Sequence, residues 1–393
     1  MIKEMEKALK RYLKGKNRIT MGVVVAFLLG SSFAFGDVTI KYEDSTIKIL
    51  DNLGAVTEIG TVTKNSANEF TWTLPEGVDI SETVKIDDTV NANNIKVNIV
   101  NSGNISGSST GGDKSGNGIF SYSDTSSSII GNITNSGTIS GNSSGGDKSG
   151  NGIYSYSNGA STIGDITNSG TISGKNTGGS YSGHGIYSNS YSESCSTIGN
   201  IINSGTISGN GTGGNESGNG IFSASSESII GNIINYGIIS GNNIRSDGGN
   251  GIYSKASSHT SPSESKIGNI TNYGTINGNG RDVSGGNGIF SSSGTNLSST
   301  SSKIGKITNY GIISGTINGN GTAEIGNGIF SYSSRSGSSI IESISNTGVI
   351  IGNNSGSGSS RDDSGNGVFS SSAGSSIIES ISNTGVIMGS NNG

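Results

Sequence analysis

The sequence has few cysteines, prolines and charged residues, and each shortage limits what the protein can be. Its 393 residues include a single cysteine, Cys195, so an intramolecular disulfide is impossible. Cys195 lies between two serines in a predicted loop, and we interpret it as an incidental thiol. The two prolines leave nearly every backbone donor available, which suits a chain that forms hydrogen-bonded strands throughout. With 68 glycines and 13% charged residues, the sequence can build no large conventional core.

The N-terminus has the pattern of a secretory signal. Residues 1–20 are rich in Lys and Arg, and residues 21–35 form an apolar run that is short for a membrane span and typical of a signal peptide. Small residues predict cleavage after Ala34 or after Gly36. We therefore predict an extended signal peptide over 1–36 and an exported protein; the alternative is a short N-terminal anchor.

The rest of the sequence is strongly acidic. Seven of the 23 Lys and Arg residues, but only two of the 28 Asp and Glu residues, lie within residues 1–36. The remainder therefore carries 16 basic and 26 acidic residues, a net charge of −10. A surface this acidic repels phosphates, so we expect no nucleic-acid partner and no attraction to anionic lipid.

Most of the chain is a repeat of 32–37 residues, which is the signature of a solenoid. A phrase Gly-Ile-aromatic-Ser, with valine for isoleucine in the last copy, recurs in step with a phrase Asn-x-Gly-x-Ile. The second phrase begins at nine asparagines: Asn101, Asn135, Asn168, Asn203, Asn235, Asn272, Asn309, Asn346 and Asn383.

Each repeat predicts three short strands and two loops. The first strand contains Gly-Ile-aromatic-Ser, the second is built on Ile130 and its equivalents, and the third runs through Asn-x-Gly-x-Ile. A Gly-Asn break between Ile130 and Ile133 is predicted to bend the chain so that both isoleucines face inward. Alternation then divides one repeat into an inward set, Ile133, Asn135, Gly137 and Ile139, and an outward set, Thr134, Ser136 and Thr138.

Stacked repeats predict an all-β protein, a single-stranded right-handed parallel β-helix of about nine coils over residues 97–393. The nine asparagines are predicted to form a structural ladder whose side-chain amides bond to the coils above and below. A glycine in the turn that follows is expected to permit a positive φ. We expect one repeat per coil; two smaller coils per repeat is the alternative.

Residues 37–96 lack the repeat and are predicted to form an N-terminal β-helix cap. Alternating residues predict strands over 38–42, 46–50 and 70–74. An end coil exposes apolar surface and open strand edges, so an atypical cap is expected there. The single tryptophan, Trp72, is predicted to cover the first coil rather than to bind a ligand.

Two parts of the sequence resemble one family. Met-Ile-Lys-Glu-Met-Glu-Lys-Ala-Leu-Lys-Arg-Tyr-Leu-Lys, followed by Ile-Thr-Met-Gly and the apolar run, resembles the extended signal region of autotransporters of anaerobic Gram-negative bacteria. The repeats Gly-Asn-Ile-Thr-Asn-Ser-Gly-Thr-Ile-Ser-Gly and Gly-Asn-Gly-Ile-Tyr-Ser resemble passenger domains of autotransporter adhesins, which use type V secretion. The resemblance implies a virulence-associated protein that is presented at the outer membrane and cell surface or is secreted.

One departure from that family concerns the C-terminus. An autotransporter resembling these would end in a β-barrel translocator, whereas this sequence ends within the repeat pattern, at residues 386–393. We therefore expect that the barrel is missing, because the chain is a fragment or because the barrel is a separate outer-membrane protein.

No catalytic, cofactor or metal site is predicted. β-Helical sugar lyases and hydrolases use clustered Asp, Lys and Arg, and glycoside hydrolysis needs two carboxylates. The charged clusters here lie in loops and are interpreted as solvated charges: Asp113-Lys114, Asp147-Lys148, Arg281-Asp282 and Arg361-Asp362-Asp363. His184 and His259 lack metal-ligand spacing. The Gly-Asn-Gly phrases are interpreted as turns rather than phosphate loops, since no helix follows.

Two aromatic columns are the candidate ligand contacts. By alternation they face outward, although the members of a column can instead stack on each other or lie under loops. The longer column follows the inward first-strand residue: Phe120, Tyr154, Tyr187, Phe222, Tyr253, Phe290, Phe330 and Phe369. The shorter column follows the ladder asparagine: Tyr236, Tyr273 and Tyr310.

The sequence therefore predicts a monomeric adhesin or structural rod rather than an enzyme. Its partners would be glycans or proteins on host or neighbouring cells, held through multivalent contacts. Two alternatives are a carbohydrate-active enzyme on the same fold, such as a polysaccharide lyase or hydrolase, and an inactive truncated gene product.

Overall fold

A computed structural model describes residues 33–35, 37–191, 194–244, 248–258, 262–281, 285–295, 300–317, 326–334, 337–355 and 365–391. Parallel strands wind into a β-solenoid of about eight turns. The predicted signal peptide lies outside the described residues, except for the strand Phe33–Phe35, which pairs with Val78–Ile80. In this part of the chain no helix is long and apolar enough to cross a bilayer.

Three sheets form the walls of the solenoid, and each coil adds to all three. Sheet 1 contains the strands Val38–Glu43, Thr46–Leu50, Val84–Ile86, Ile119–Ser123, Ile153–Ser157, Ile186–Ser190, Ile221–Ser225, Ile252–Ser258, Ile289–Thr295, Ile329–Ser333 and Val368–Ser372. Sheet 2 contains Thr61–Ser66, Glu69–Leu74, Lys96–Asn101, Ser128–Ile130, Ile133–Asn135, Ser161–Ile163, Ile166–Asn168, Cys195–Ile198, Ile201–Asn203, Glu227–Ile230, Ile233–Asn235, Ser263–Ile267, Ile270–Asn272, Thr300–Asn309, Ser338–Asn346 and Ser375–Asn383. Sheet 3 contains Phe33–Phe35, Val78–Ile80, Asn104–Ser109, Thr138–Ser143, Thr171–Asn176, Thr206–Gly211, Ile238–Asn243, Thr275–Gly280, Ile312–Ile317, Val349–Asn354 and Val386–Asn391.

One repeat makes one coil. Ile153 pairs with Ile119 on one side and with Ile186 on the other, so neighbouring strands come from neighbouring repeats. The same register holds in sheets 2 and 3, where Asn135 pairs with Asn168 and Ile139 with Ile172. The alternative of two smaller coils per repeat is therefore wrong.

In each coil that contains it, the Gly-Asn break divides the sheet 2 segment into two short strands, which we call arms. Ile130 ends one arm and Ile133 begins the next, and both side chains are buried, as predicted. In the last three coils, where Lys306, Ser343 and Ser380 stand at the position of that asparagine, the two arms merge into single strands. Sequence and structure thus change together at this bend.

The predicted third strand is wrong, because a turn divides it. Asn135 ends the second arm of sheet 2, and the strand of sheet 3 begins at Thr138. Nor does Gly137 in this turn adopt the expected positive φ. A Cβ atom there would lie 2.0 Å from the carbonyl oxygen of Gly103, so glycine is needed because adjacent coils approach so closely.

The core is a set of stacked isoleucine columns inside the solenoid. Ile133, Asn135 and Ile139 are buried and Thr134 is exposed, which confirms the predicted alternation at these positions. The columns are continuous because parallel pairing sets isoleucine on isoleucine in successive coils. No coil has enough apolar surface to stand alone, so the stack supplies its stability.

The N-terminal segment adds two antiparallel hairpins to the end of the stack. Strands Val38–Glu43 and Thr46–Leu50 form one hairpin, and Thr61–Ser66 and Glu69–Leu74 form the other. Trp72 is fully buried in the isoleucine core, and its indole N–H donates to the carbonyl of Ile59 at 2.9 Å. A short helix, Asp88–Ala92, is capped by the Asp87 carboxylate.

Candidate functional site

The nine repeat asparagines lie in one column at the corner between sheets 2 and 3, and eight of them are buried. Asn135 is representative: its amide nitrogen contacts the carbonyls of Gly137 and Thr171 at 3.1 Å and the Asn168 side-chain oxygen at 2.8 Å. All eight links between successive asparagines have that same length. The column fixes the turn and joins the coils.

The longer aromatic column is not available to a ligand. Its rings lie outside sheet 1 and stack with centroid separations of 4.7 to 5.4 Å. A loop residue covers two of them, since the His184 ring lies 4.7 Å from Tyr187 and 5.0 Å from Phe222. The ligand-contact prediction is therefore wrong for the buried members, Phe120, Tyr154, Tyr187, Phe222, Tyr253 and Phe330, and Phe290 and Phe369 are only half-exposed.

The shorter aromatic column lies on the surface. Tyr236, Tyr273 and Tyr310 are 56%, 47% and 50% exposed, and adjacent rings stack at 4.9 and 4.8 Å, nearly parallel. They follow the ladder asparagines, so the same corner that buries each amide projects the next side chain outward. We call these three residues the tyrosine strip.

Exposed aliphatic side chains flank the tyrosine strip. Ile238 and Ile312 open their strands in sheet 3 and are 47% and 44% exposed. Thr275 lies between them in the register. The combined surface offers stacked phenol rings, two aliphatic side chains and hydroxyl groups, which suits sugar rings or an extended peptide.

Two of the predicted loop carboxylates accept backbone N–H groups of the next coil. Asp113 and Asp147 lie on adjacent coils, and both are exposed. The Asp113 carboxylate accepts the Asp147 backbone N–H at 2.9 Å, and Asp147 accepts from Ser180 at 2.7 Å. Each carboxylate thus links one coil to the next. Asp282, Arg361, Asp362, Asp363 and His259 lie outside the described residues.

Sequence reasoning missed a second ladder, formed by the Gly-Asn-Gly phrases. The backbone N–H of Asn151 donates to the Asn117 side chain at 2.8 Å, and the pattern continues to the last coils. The signal was present, since an asparagine lies two residues before every first-strand isoleucine except Ile186. The buried members are Asn117, Asn151, Asn219, Asn250, Asn287 and Asn327, and Asn366 ends the column.

His184 takes the place of asparagine in this second ladder. It is fully buried, and its Nδ1 accepts the backbone N–H of Asn219 at 3.1 Å. Burial lowers the pKa of His184 to about 3, because the charged imidazolium would lose its hydration. The ring is therefore neutral near pH 7 and serves as a packing and hydrogen-bonding element.

Buried serines form a further column that the sequence analysis did not identify. Serines of sheets 1 and 2 alternate across their shared corner with hydroxyl separations of 2.8 to 3.0 Å. One link, from Ser228 to Ser223, uses the backbone carbonyl at 2.8 Å instead. A hydroxyl is small and both donates and accepts, so it can occupy a crowded polar corner.

Neither a reactive thiol nor a metal centre emerges from the described residues. Cys195 is half-buried, burial raises the pKa of its thiol, and its sulfur lies 3.3 Å from the Thr197 hydroxyl. No group of three or more His, Cys, Asp or Glu residues that could hold a metal ion occurs in this part of the chain.

Comparisons with known proteins give no relative: no family model matches, and neither a curated protein nor a solved structure is significantly similar to the chain.

Proposed function

We propose that this chain is an exported β-helical rod that adheres to host or neighbouring cells through the tyrosine strip. It would act as the passenger of an autotransporter, as a monomer at the cell surface or after release. Its targets would be glycans or proteins with repeated binding groups. The role requires contact rather than catalysis.

The observation that carries the proposal is the exposure of three stacked tyrosines on a surface otherwise dominated by small polar residues. Large aromatic side chains contribute much of the energy at interfaces and usually become buried there. The rings repeat at the spacing of the coils, so one extended ligand could contact all three. Several weak contacts on one rigid body give an avidity that no single contact would reach.

The chain itself suggests the variant that tests this proposal. Other coils carry serine or threonine at the position of the strip tyrosines, including Ser136, Ser169, Ser204, Thr347 and Thr384. The triple variant Y236S/Y273S/Y310S therefore keeps a side chain that the solenoid already accommodates. We expect binding of the purified protein to target cells to fall by about tenfold or more, with circular dichroism unchanged.

Two further variants complete the experiment. Ser136, Ser169 and Ser204 changed together to alanine are the matched control, since they occupy the same column and should leave binding unchanged. S204Y with T347Y lengthens the strip from three tyrosines to five and should strengthen binding. Equal binding by the wild type and the triple serine variant would refute the proposal.

A further inference from the structure

A second surface lies at a different corner, where the loops between sheets 3 and 1 meet the outer face of sheet 1. Four loop residues form a column: Lys114, Lys148, Tyr181 and Glu216. All four adopt a left-handed backbone, with φ between 53° and 58°. Second-ladder asparagines bond to three of their carbonyls at 2.8 to 3.0 Å. The loop column is thus held in a fixed position.

Sheet 1 presents a facing column, whose members pair in register from one coil to the next: Tyr122, Tyr156, Asn189, Ala224 and Lys255. In the first two coils the columns are in contact. Lys114 Nζ lies 4.0 Å from the centre of the Tyr122 ring, and Lys148 Nζ lies 4.3 Å from that of Tyr156. These cation–π contacts fill the space between loop and sheet.

The next two coils have small side chains where the first two have tyrosine. Asn189 and Ala224 leave a cleft of about 370 Å³ between the columns, within the usual size range of small-molecule sites. Lys148 lies at one end of the cleft, and the ion pair between Glu216 and Lys255 lies at the other. Tyr191, 78% exposed, stands at the rim.

The charges around the cleft favour an anion at the Lys148 end. Glu216 is buried and bound to Lys255, whereas no ion pair joins Lys148 to a carboxylate among the residues that the structure describes. Burial, together with the neighbouring charge of Lys114, lowers the pKa of Lys148, and the weaker attraction of Asp147 and Asp113 offsets this only in part. A bound carboxylate would offset both effects by pairing with the ammonium group.

We propose that this cleft binds one acidic sugar unit, a monosaccharide or glycan residue that carries a carboxylate. The carboxylate pairs with Lys148, and the sugar ring lies against Tyr191. Its hydroxyl groups bond to Asn189 and to three serines that line the cleft, Ser190, Ser226 and Ser257. The site is separate from the tyrosine strip, so either assignment can fail without the other.

Titration calorimetry with glucuronate and with glucose, its neutral counterpart, tests this site. We expect glucuronate to bind to the wild type and glucose to bind at least about tenfold more weakly, because glucose lacks the group that pairs with Lys148. K148Q should weaken glucuronate binding by about tenfold or more and leave glucose binding unchanged. K114Q is the matched control: Lys114 does not line the cleft and acts only through its charge on Lys148, so this variant should change glucuronate affinity by much less than K148Q does.

A224Y places a tyrosine at the register position that Tyr156 occupies two coils earlier. It should therefore fill the cleft and abolish binding, while the thermal transition is retained. The tyrosine-strip variant should bind glucuronate normally, which separates this site from the proposed adhesive surface. Equal affinities for glucuronate and glucose, no binding of either sugar by the wild type, or unchanged glucuronate binding by K148Q would each overturn the assignment.

Discussion

Each column of stacked residues accepts only a few types of side chain, and His184 illustrates the requirement. His184 is the one imidazole in a ladder of asparagines, and it keeps the ladder bond only through an unprotonated Nδ1. Its pKa is lowered to about 3, while an unfolded chain would titrate near the ordinary value of 6.5. Between these two pKa values the unfolded state binds a proton at His184 that the folded state does not bind. Protonation of the unfolded chain therefore destabilises the fold as the pH falls below about 6.5.

The stability of the protein should consequently fall as the pH decreases from about 6.5 towards 3. At pH 5 the loss that arises from His184 should be about 2 kcal/mol, from a difference of roughly 1.5 pH units below the unfolded pKa. H184N restores the asparagine of the other coils and should remove this part of the pH dependence. Urea unfolding of both proteins at pH 5 and pH 7.5 measures it, and parallel losses would contradict the explanation.

Asparagine ladder members should be far less replaceable than asparagines on the surface. In N235A the buried side-chain oxygen of Asn272 loses the amide that donates to it, and the Asn203 amide loses one of its three acceptors. The carbonyls of Gly237 and Thr275 each lose the same donor. Buried groups left unpaired cost about 1–3 kcal/mol each, so we expect a loss of several kcal/mol in the free energy of unfolding. N232A, at an exposed position in the same coil, should cost under about 1 kcal/mol; similar values for both would argue against the ladder.

At the scale of strands and loops, the sequence was sufficient where periodicity alone decides the outcome. Repeat length, inward isoleucines and the Gly-Asn bend follow from alternation and stacking, and the structure has all three. Alternation also placed the longer aromatic column outside sheet 1, but it could not show that a loop folds back over those rings. At Phe222 the covering residue is His184, which belongs to the preceding repeat and lies 38 positions away in the sequence.

The candidate sites were harder to predict for the same reason. Tyr236, Tyr273 and Tyr310 could be singled out because they share one position in three successive repeats. The cleft could not, because it exists where Asn189 and Ala224 are smaller than Tyr122 and Tyr156, and its other wall is a loop of variable sequence. A cleft that results from smaller side chains at two positions produces no recognisable sequence motif.

Over the whole molecule, the contribution of a segment to stability depends on its position along the stack of coils. The nine residues Ser338–Asn346 and Ser375–Asn383 are identical in sequence. Ile344 is 1% exposed because a further coil covers it, whereas Ile381 in the last described coil is 48% exposed. The two strands therefore allow the effect of burial to be compared at constant sequence.

Truncation of these two isoleucines should therefore have unequal effects in a chain of these 393 residues. I344A removes a buried side chain and leaves a cavity, so it should lower the free energy of unfolding by about 2–5 kcal/mol. I381A removes a side chain that is half in water and should cost less than about 1 kcal/mol. Equal losses in guanidinium titrations would mean that the last coil is covered in solution.

The two asparagine ladders have opposite electrical polarity. In the first, each side-chain N–H points towards the C-terminal neighbour, as from Asn135 to Asn168. In the second, the N–H points back, as from Asn151 to Asn117. The dipole moments of the two amide rows therefore run antiparallel along the axis and oppose each other. An α-helix concentrates partial charge at its two ends, whereas here each row offsets part of the axial dipole that the other builds up as coils are added.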